Sequence, residues 1–287
     1  MTLLLVDFGG TRLKICSTKD SQSKLEIGVQ PSPFDYRQML RLVKEYQSEQ
    51  KEDASQLALS LQGPVDLDQR GSWEYGPPQK RQVIRRPELN EACLEIGLPL
   101  PQITTNDVIA SAFGLAQDGS GCNIQLSTGI GARVLRQGKL LVTNDLGPIL
   151  SAISKRRQLR VGASTRTYYE WLRFNYLHDW LAPELKGMEW RQLATQDHPD
   201  VTLIAEIFIS FIEECLSVIA ELGDFPLYVS GGGAAAMRHR LEPALHSLGH
   251  KPIFDSSGTA AGIAGLQYLL RQCSVPILTV GPDPALA

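Results

Sequence analysis

The sequence predicts an α/β protein built from two related halves. Short apolar runs, typical of buried strands, alternate along the chain with stretches that have helical spacing. A strand, a turn rich in Gly and Thr, and a second strand occupy residues 3–16, and the same order returns at 123–135. Because a repeated unit of this kind indicates duplication of a supersecondary element, we expect two lobes with a cleft between them.

Composition limits the classes of function. The chain has 287 residues, 43% hydrophobic and 21% charged, which is enough for one large domain or two ordinary ones. A formal net charge of -3 without a long run of Lys and Arg argues against a dedicated nucleic-acid binder.

The cysteines and the N-terminal residues predict a cytoplasmic protein. The five cysteines form no C-x-x-C pair, and their odd number fits reduced thiols better than a closed disulfide framework; they are at 16, 93, 122, 215 and 273. The apolar run at 3–6 ends at Asp7 and is too short for a signal peptide or a membrane span.

The remaining elements are predicted from periodicity and turn residues. In the first half we expect helices at 35–50, 87–96 and 108–117 and strands at 57–61 and 103–105. The polar segment 68–87, rich in Gly, Pro and Arg, predicts a long functional loop. In the second half we expect helical stretches at 165–182, 201–222 and 259–272, a strand at 227–230, and a loosely ordered tail after Cys273.

The first motif that carries chemistry is the segment 7–14, Asp-Phe-Gly-Gly-Thr-Arg-Leu-Lys. An acidic residue ends a buried strand, and two glycines allow backbone N–H groups to approach a phosphate. The Thr11 hydroxyl could donate to a phosphate oxygen. The alternative is a plain hairpin turn with a solvated Asp7.

Two further glycine motifs have similar ingredients. The segment 126–131, Leu-Ser-Thr-Gly-Ile-Gly, repeats a strand, hydroxyls and spaced glycines, although such a pattern also marks plain turns. Residues 230–236, Ser-Gly-Gly-Gly-Ala-Ala-Ala, follow a strand and open a helix of small residues. The glycines predict close approach to a nucleotide, or tight packing at a helix entry.

Asn106 and Asp107 lie between a strand and a helix. An Asp in this place, facing a cleft, could accept the proton of a substrate hydroxyl while that oxygen attacks a γ-phosphate. The alternative is a helix N-cap, for which both residue types are favoured.

In order along the chain, these segments resemble the sugar kinases of the ROK family, within the actin-like ATPase superfamily. Residues 7–11 are similar to the family's first phosphate loop, and 127–131 to its second. Residues 60–66, Ser-Leu-Gln-Gly-Pro-Val-Asp, resemble the Pro-Gly-Pro-Val-Asp segment, with Gln62 in place of the first proline. Residues 106–107 resemble the catalytic Asn-Asp signature; residues 230–233 and 255–265 resemble the adenosine motif and the closing segment.

The resemblance implies two ribonuclease-H-like lobes with mixed sheets flanked by helices. It also implies that the protein binds ATP and Mg²⁺ and phosphorylates a hydroxyl of a small sugar or sugar-like molecule. We expect an N-terminal lobe of 1–107 plus 266–287 and a C-terminal lobe of 108–265; a homodimer is compatible with it.

The resemblance also assigns residues. Asp107 is expected as the general base, and Asp7 as a residue that holds Mg²⁺ through water. The expected nucleotide contacts are Asp7, Gly9, Gly10, Thr11, Lys14, Thr128, Gly129, Gly131, Gly231, Gly232 and Gly233. The expected substrate contacts are Gly63, Asn106 and Asp145.

The chain departs from the family pattern after the second phosphate loop. The family's Glu-Ile-Gly-His corresponds to Asp-Leu-Gly-Pro at 145–148, so Pro148 replaces a histidine that contacts the sugar and a structural zinc. Residues 149–165 contain no Cys or His, and we therefore expect no zinc site there. Plain glucokinase activity is in doubt for the same reason.

The acceptor and the class of activity stay open at this stage. Basic residues near 80–86, at Arg133 and at 156–166 form a solvated face or bind an anionic substrate. Cyclitol, amino-sugar and pantothenate-type kinases are alternatives. A non-catalytic nucleotide sensor or pseudo-kinase is the alternative from another functional class. Some relatives are repressors that carry a DNA-binding helix-turn-helix before the first phosphate loop, and we expect none here because only residues 1–6 precede Asp7.

Overall fold

A computed structural model gives the structure of most of the chain. The described residues are 2–9, 12–18, 28–31, 35–50, 53–61, 72–75, 82–117, 119–127, 129–143, 153, 156–172, 177, 179–255 and 260–280.

The chain divides into two compact units. The first comprises 1–117 and 259–276, and the second 118–258 and 277–287. Residues 277–287 therefore fall in the second unit, although the sequence analysis assigns them to the N-terminal lobe. Residues 108–117 and 259–265 fall in the first unit, although the sequence analysis assigns them to the C-terminal lobe. The reason is that α3 (Asp107–Ala116) packs against α8 (Ala260–Gln272), which lies on the first sheet.

The sheet of the first unit has the strand order β3-β2-β1-β4-β7. β1 pairs antiparallel with β2 and parallel with β4, and β4 pairs parallel with β7. The strands are β1 (Leu3–Phe8), β2 (Arg12–Thr18), β3 (Gly28–Pro31), β4 (Gln56–Leu61) and β7 (Pro101–Asn106). The other helices are α1 (Tyr36–Glu49) and α2 (Arg86–Ile96).

Burial and helix caps explain why these elements form. All six residues of β1 are buried, as expected for a central strand covered on both faces. The core between the sheet and α1 includes Val6, Ile15 and Leu40. Asp35 caps α1, since its Oδ1 accepts hydrogen bonds from the backbone N–H of residues 37 and 38 at 2.7 and 3.2 Å.

The sheet of the second unit has the order β14-β13-β8-β9-β10-β15. β8 pairs antiparallel with β9 and parallel with β13, and β13 pairs parallel with β14. Five of these strands repeat the pattern of the first sheet, which confirms the predicted duplication. The strands are β8 (Gly121–Leu126), β9 (Ile130–Arg136), β10 (Lys139–Thr143), β13 (Leu227–Ser230), β14 (Ile253–Phe254) and β15 (Ile277–Val280).

Helices of the second unit enclose its larger core. The long helix α6 buries Phe208 and Phe211, and the Trp190 ring lies 5.7 Å from that of Phe208. The helices are α4 (Tyr168–Leu172), α5 (Trp190–Ala194), α6 (Pro199–Ala220) and α7 (Gly232–Ser247). None of the helices in the described part of the chain combines the length and apolarity needed to cross a bilayer.

Three sequence expectations are wrong. The predicted loop 68–87 contains a hairpin of β5 (Ser72–Tyr75) and β6 (Gln82–Arg85), whose aromatic and β-branched residues favour strands. The stretch 165–182 begins in a second hairpin, β11 (Gln158–Val161) and β12 (Ser164–Thr167), before α4. The tail forms β15, which pairs parallel with β10.

Candidate functional site

A row of polar side chains crosses the first sheet near the carboxyl ends of its parallel strands. Asp7 of β1 pairs in register with Ser60 of β4, and Ser60 pairs with Thr105 of β7. Lys14 lies opposite Asp7 on β2. Ligands of open α/β sheets bind outside the carboxyl ends of the strands, so this row is a candidate site.

The Asp7 carboxylate is buried and has a partner on each of its two oxygens. Its Oδ1 accepts a hydrogen bond from the Ser60 hydroxyl at 2.5 Å, and its Oδ2 lies 2.7 Å from the Lys14 ammonium. Asp7 is 3% exposed, and a charge so buried needs such partners. Helix α8 passes beside it at Gly262, where a Cβ would lie 2.7 Å from Oδ2. Position 262 therefore favours glycine, because any side chain there would have to displace the Asp7 carboxylate.

This arrangement does not fit direct coordination of Mg²⁺ by Asp7. A metal ion at about 2 Å from a carboxylate oxygen would share Oδ2 with the Lys14 ammonium. Within the described residues, no three His, Cys, Asp or Glu side chains cluster to hold a metal. The contact through water that the sequence suggested stays a prediction.

The turn after β1 is short. The Gly9 N–H donates to the Arg12 carbonyl at 3.0 Å, and a Cβ on Gly9 would lie 3.1 Å from the same oxygen. The turn thus favours glycine at position 9. Gly10 and Thr11, which complete the predicted phosphate loop, lie outside the described residues.

Asn106 and Asp107 form the start of α3. The Asn106 Oδ1 accepts a hydrogen bond from the Val108 N–H at 3.0 Å, so Asn106 is the N-cap. The Asp107 Oδ1 accepts from the same N–H and from the Asn106 amide, both at 2.9 Å. A carboxylate is favoured here by the positive end of the helix dipole. Capping and proton acceptance are compatible, because a carboxylate has more than one acceptor position.

In the second unit, the β8–β9 turn is equally compact. The Ser127 N–H donates to the Gly129 carbonyl at 2.8 Å. No atom of the described residues, chain neighbours aside, lies within 4 Å of a Cβ built on Gly129, so the described backbone leaves open space there. Gly131 lies in β9 and pairs with Gln125. Thr128 lies outside the described residues.

The three glycines after β13 have different environments. Gly231 has φ +97°, and a Cβ there would overlap the Leu126 carbonyl; at Gly233 a Cβ would lie 3.0 Å from the same oxygen. These two glycines let the start of α7 pack directly on β8. At Gly232 a Cβ would meet no atom within 4 Å in the part of the chain that the structure describes, leaving aside its chain neighbours and its own helix. Of the three glycines, Gly232 is the one with open space beside it among these residues.

Several predicted site residues are not described, namely Gly10, Thr11, Gly63, Thr128 and Asp145; Pro148 is not described either. Others have structural partners. Arg157 pairs with Glu214 at 3.1 Å, and the Arg166 guanidinium lies over the Trp171 ring at 5.5 Å. These contacts lie within the second unit and hold part of the basic face.

Sequence reasoning assigned no role to Ser60, Thr105 or Gly262. Ser60 and Thr105 are 0% and 1% exposed, and the Thr105 hydroxyl is buried without a hydrogen-bond partner within the described residues. A serine inside the apolar run Leu-Ala-Leu-Ser-Leu, and a glycine inside an apolar helix, were the available signals.

Comparison with known proteins relies on structure. No family model matches the chain, and no curated protein is similar to it in sequence. A ROK-family glucokinase from Streptomyces griseus, in complex with glucose and AMPPNP, is 18% identical with a TM-score of 0.70, over 95% of this chain and 100% of that one.

Two other solved structures show the breadth of the likeness. An inorganic polyphosphate/ATP-glucomannokinase from Arthrobacter sp. strain KM is 18% identical, with a TM-score of 0.60, over 94% of this chain and 99% of that one. A ROK-family transcriptional regulator, a homologue of the E. coli MLC protein, is 14% identical, with a TM-score of 0.65, over 95% of this chain and 78% of that one. At these identities the likeness shows the fold.

Proposed function

Because the chain has the fold of the ROK-family sugar kinases, we propose that it transfers the γ-phosphoryl group of ATP to a hydroxyl of a small sugar or sugar-like molecule. The observation that carries the proposal is the carboxylate of Asp107 at the first turn of α3, directly after a strand of this fold. Kinases of this kind place one carboxylate beside the acceptor hydroxyl.

Exposed backbone at the glycine turns supports nucleotide binding. Gly129 and Gly232 border open space among the described residues, so phosphate or ribose oxygens could approach their backbone without meeting a described side chain. At Gly9, Gly231 and Gly233 the absence of a side chain lets the backbone pass close to a neighbouring carbonyl oxygen. The nucleotide would arrive as its magnesium complex, the form in which kinases take ATP.

The proposed chemistry needs one proton acceptor. The acceptor oxygen forms a bond to the γ-phosphorus, the bond to the β,γ-bridging oxygen breaks, and ADP leaves. The hydroxyl proton passes to the Asp107 carboxylate. Asn106 contributes by position, because its amide donates to Asp107 Oδ1 at 2.9 Å and orients that carboxylate. General-base help of this kind is worth on the order of 10²–10⁴ in rate.

The substrate class is proposed from the neighbours' chemistry. The solved neighbours include a glucokinase with bound glucose and a glucomannokinase. Gly63, Asn106 and Asp145 are the proposed substrate contacts. Pro148 removes a hydrogen-bonding side chain from the family pattern, which favours an acceptor other than plain glucose. We also propose a cytoplasmic protein that can form a homodimer.

The direct test is ADP release by the purified chain with ATP, Mg²⁺ and a panel of sugars, amino sugars and cyclitols. Asp107→Asn should remove phosphoryl transfer and leave ATP affinity nearly unchanged. Asp35→Asn is the matched control, since Asp35 is the N-cap of α1 and Asn caps equally well. Turnover retained by Asp107→Asn would refute the assignment of the base.

A non-catalytic nucleotide sensor is the second candidate. The likeness to a transcriptional regulator of the same fold favours it, with a TM-score of 0.65. A sensor would bind ATP or a sugar and release no ADP with any acceptor. Isothermal titration of both ligands beside the ADP assay separates the two functions.

A further inference from the structure

We propose that Lys14 is the resident cation of Asp7, occupying the position that a divalent metal ion would otherwise take, so that Asp7 binds no metal ion by itself. The inference rests on the proposed function in one respect: a kinase with this fold is expected to hold Mg²⁺ with Asp7. The ion pair distinguishes this site from one in which a carboxylate without a paired cation faces the metal ion.

The pair is built by the strands themselves. Asp7 and Lys14 are register partners on the antiparallel strands β1 and β2, and such partners have neighbouring Cβ atoms. The Lys14 ammonium lies 2.7 Å from Asp7 Oδ2, and the two side chains are 19% and 5% exposed. The ion pair is therefore held by the sheet, with little solvent to screen it.

Two further groups lie against the carboxylate. The Ser60 hydroxyl donates to Oδ1 at 2.5 Å, and a Cβ built on Gly262 of α8 would lie 2.7 Å from Oδ2. An ion that approaches Oδ2 must compete with the ammonium for that oxygen. Like charges that share one carboxylate oxygen repel each other strongly in a buried site.

The described residues around Asp7 supply few of the oxygen ligands that a metal ion needs. Mg²⁺ requires near-octahedral coordination by oxygen, usually with one or two carboxylates. Within the described ranges, Asp7 belongs to no group of three or more His, Cys, Asp or Glu side chains that could hold a metal ion. The covalently tethered ammonium therefore holds the position, and any Mg²⁺ enters with the nucleotide phosphates.

The test uses Mn²⁺ as the probe, the full-length chain and no nucleotide. Electron paramagnetic resonance of free Mn²⁺ should show no site in the wild type that depends on Asp7. Lys14→Met keeps an unbranched side chain of similar length and removes its charge, and should raise Mn²⁺ affinity about tenfold or more. Lys14→Met with Asp7→Asn should lose that gain. Lys139→Met, at an exposed strand lysine, is the control and should match the wild type.

A wild-type site that disappears in Asp7→Asn would overturn the proposal, as would a folded Lys14→Met variant that binds Mn²⁺ no better than the wild type. If the variants fail to fold, Mn²⁺ broadening of amide signals in the wild-type chain decides. Broadening centred on residues 6–8 and 13–15 contradicts the proposal, and unbroadened signals there support it. Because no ATP or acceptor is present, a failed kinase assay leaves this result intact.

Discussion

Gly114 of α3 and Gly265 of α8 lie against each other where the two helices cross. A Cβ on Gly114 would lie 3.0 Å from the Gly265 N and would overlap the Ala261 carbonyl. A Cβ on Gly265 would lie 2.9 Å from the Gly114 N. The two backbones are therefore in contact, and this contact fixes α3, whose first residue is Asp107.

We expect Gly114→Ala and Gly265→Ala each to destabilise the protein. The added methyl group must push the helices apart, and overpacking of this kind costs about 1–3 kcal/mol or more. The midpoint of urea unfolding measures the effect. Gly232→Ala is the control, because a Cβ there meets no described atom within 4 Å outside its own helix and chain neighbours. An unchanged midpoint for the two helix variants would contradict the close crossing.

The glycines after β13 predict a separation of stability from nucleotide binding. Gly231→Ala should lower the free energy of unfolding by about 1–3 kcal/mol, because its φ of +97° and the Leu126 carbonyl exclude a side chain. Gly232→Ala should leave stability unchanged and weaken ATP binding, since its methyl group enters the open space beside the proposed nucleotide site. Urea unfolding and ATP titration measure the two quantities.

The opposite pattern would be informative. If Gly232→Ala leaves ATP affinity unchanged, the turn after β13 serves packing alone, as Gly231 and Gly233 already do. The proposed nucleotide contact at this turn would then be wrong.

The sequence predicted the duplicated hairpins because their signals are local. The run 3–8 is apolar apart from Asp7, and glycines follow it immediately, so strand, turn and strand could be placed from neighbouring residues. The Asn106 cap was also a local signal and was weighed as an alternative. Its hydrogen bond to the Val108 N–H confirms it.

Contacts between distant segments could not be predicted. Ser60 reaches Asp7 only through the parallel register of β4 on β1, and Gly262 reaches it only after α8 packs on the sheet. Likewise, β15 pairs with β10 across more than a hundred residues, and nothing in either segment specifies the other. Strand register and helix docking are tertiary properties, whereas turns and caps are local ones.

Buried thiols predict a loss of stability at alkaline pH. Burial raises the pKa of Cys93 and of Cys122 from 9.0 to about 12. These thiols stay protonated in the folded chain, whereas in the unfolded chain they are exposed to water and ionise with a pKa near 9.0. The contribution of these two thiols to the free energy of unfolding should therefore be constant below pH 9 and fall as the pH rises from 9 toward 12.

Urea unfolding at about pH 7 and at about pH 10.5, which lie below and above the ordinary thiol pKa, measures this loss. Cys93→Ala and Cys122→Ala should each show a smaller fall than the wild type, whatever their stability at pH 7. Cys273→Ala is the control, since Cys273 is exposed. Identical pH dependence in all four proteins would show that the buried thiols do not contribute.

The hydrogen bond from Ser60 to Asp7 predicts an energetic coupling between two parallel strands. Ser60→Ala removes a buried donor from a buried carboxylate, and hydrogen bonds to charged groups contribute about 1.5–3 kcal/mol. Ser247→Ala, which removes an exposed hydroxyl that donates to a backbone carbonyl, should cost much less. A double-mutant cycle with Asp7→Asn isolates the pair, and its interaction energy should be about 1 kcal/mol or more. A cycle that closes to zero would mean that Lys14 alone holds the Asp7 carboxylate, and that the polar row across β1 and β4 is adjacent in space but not coupled.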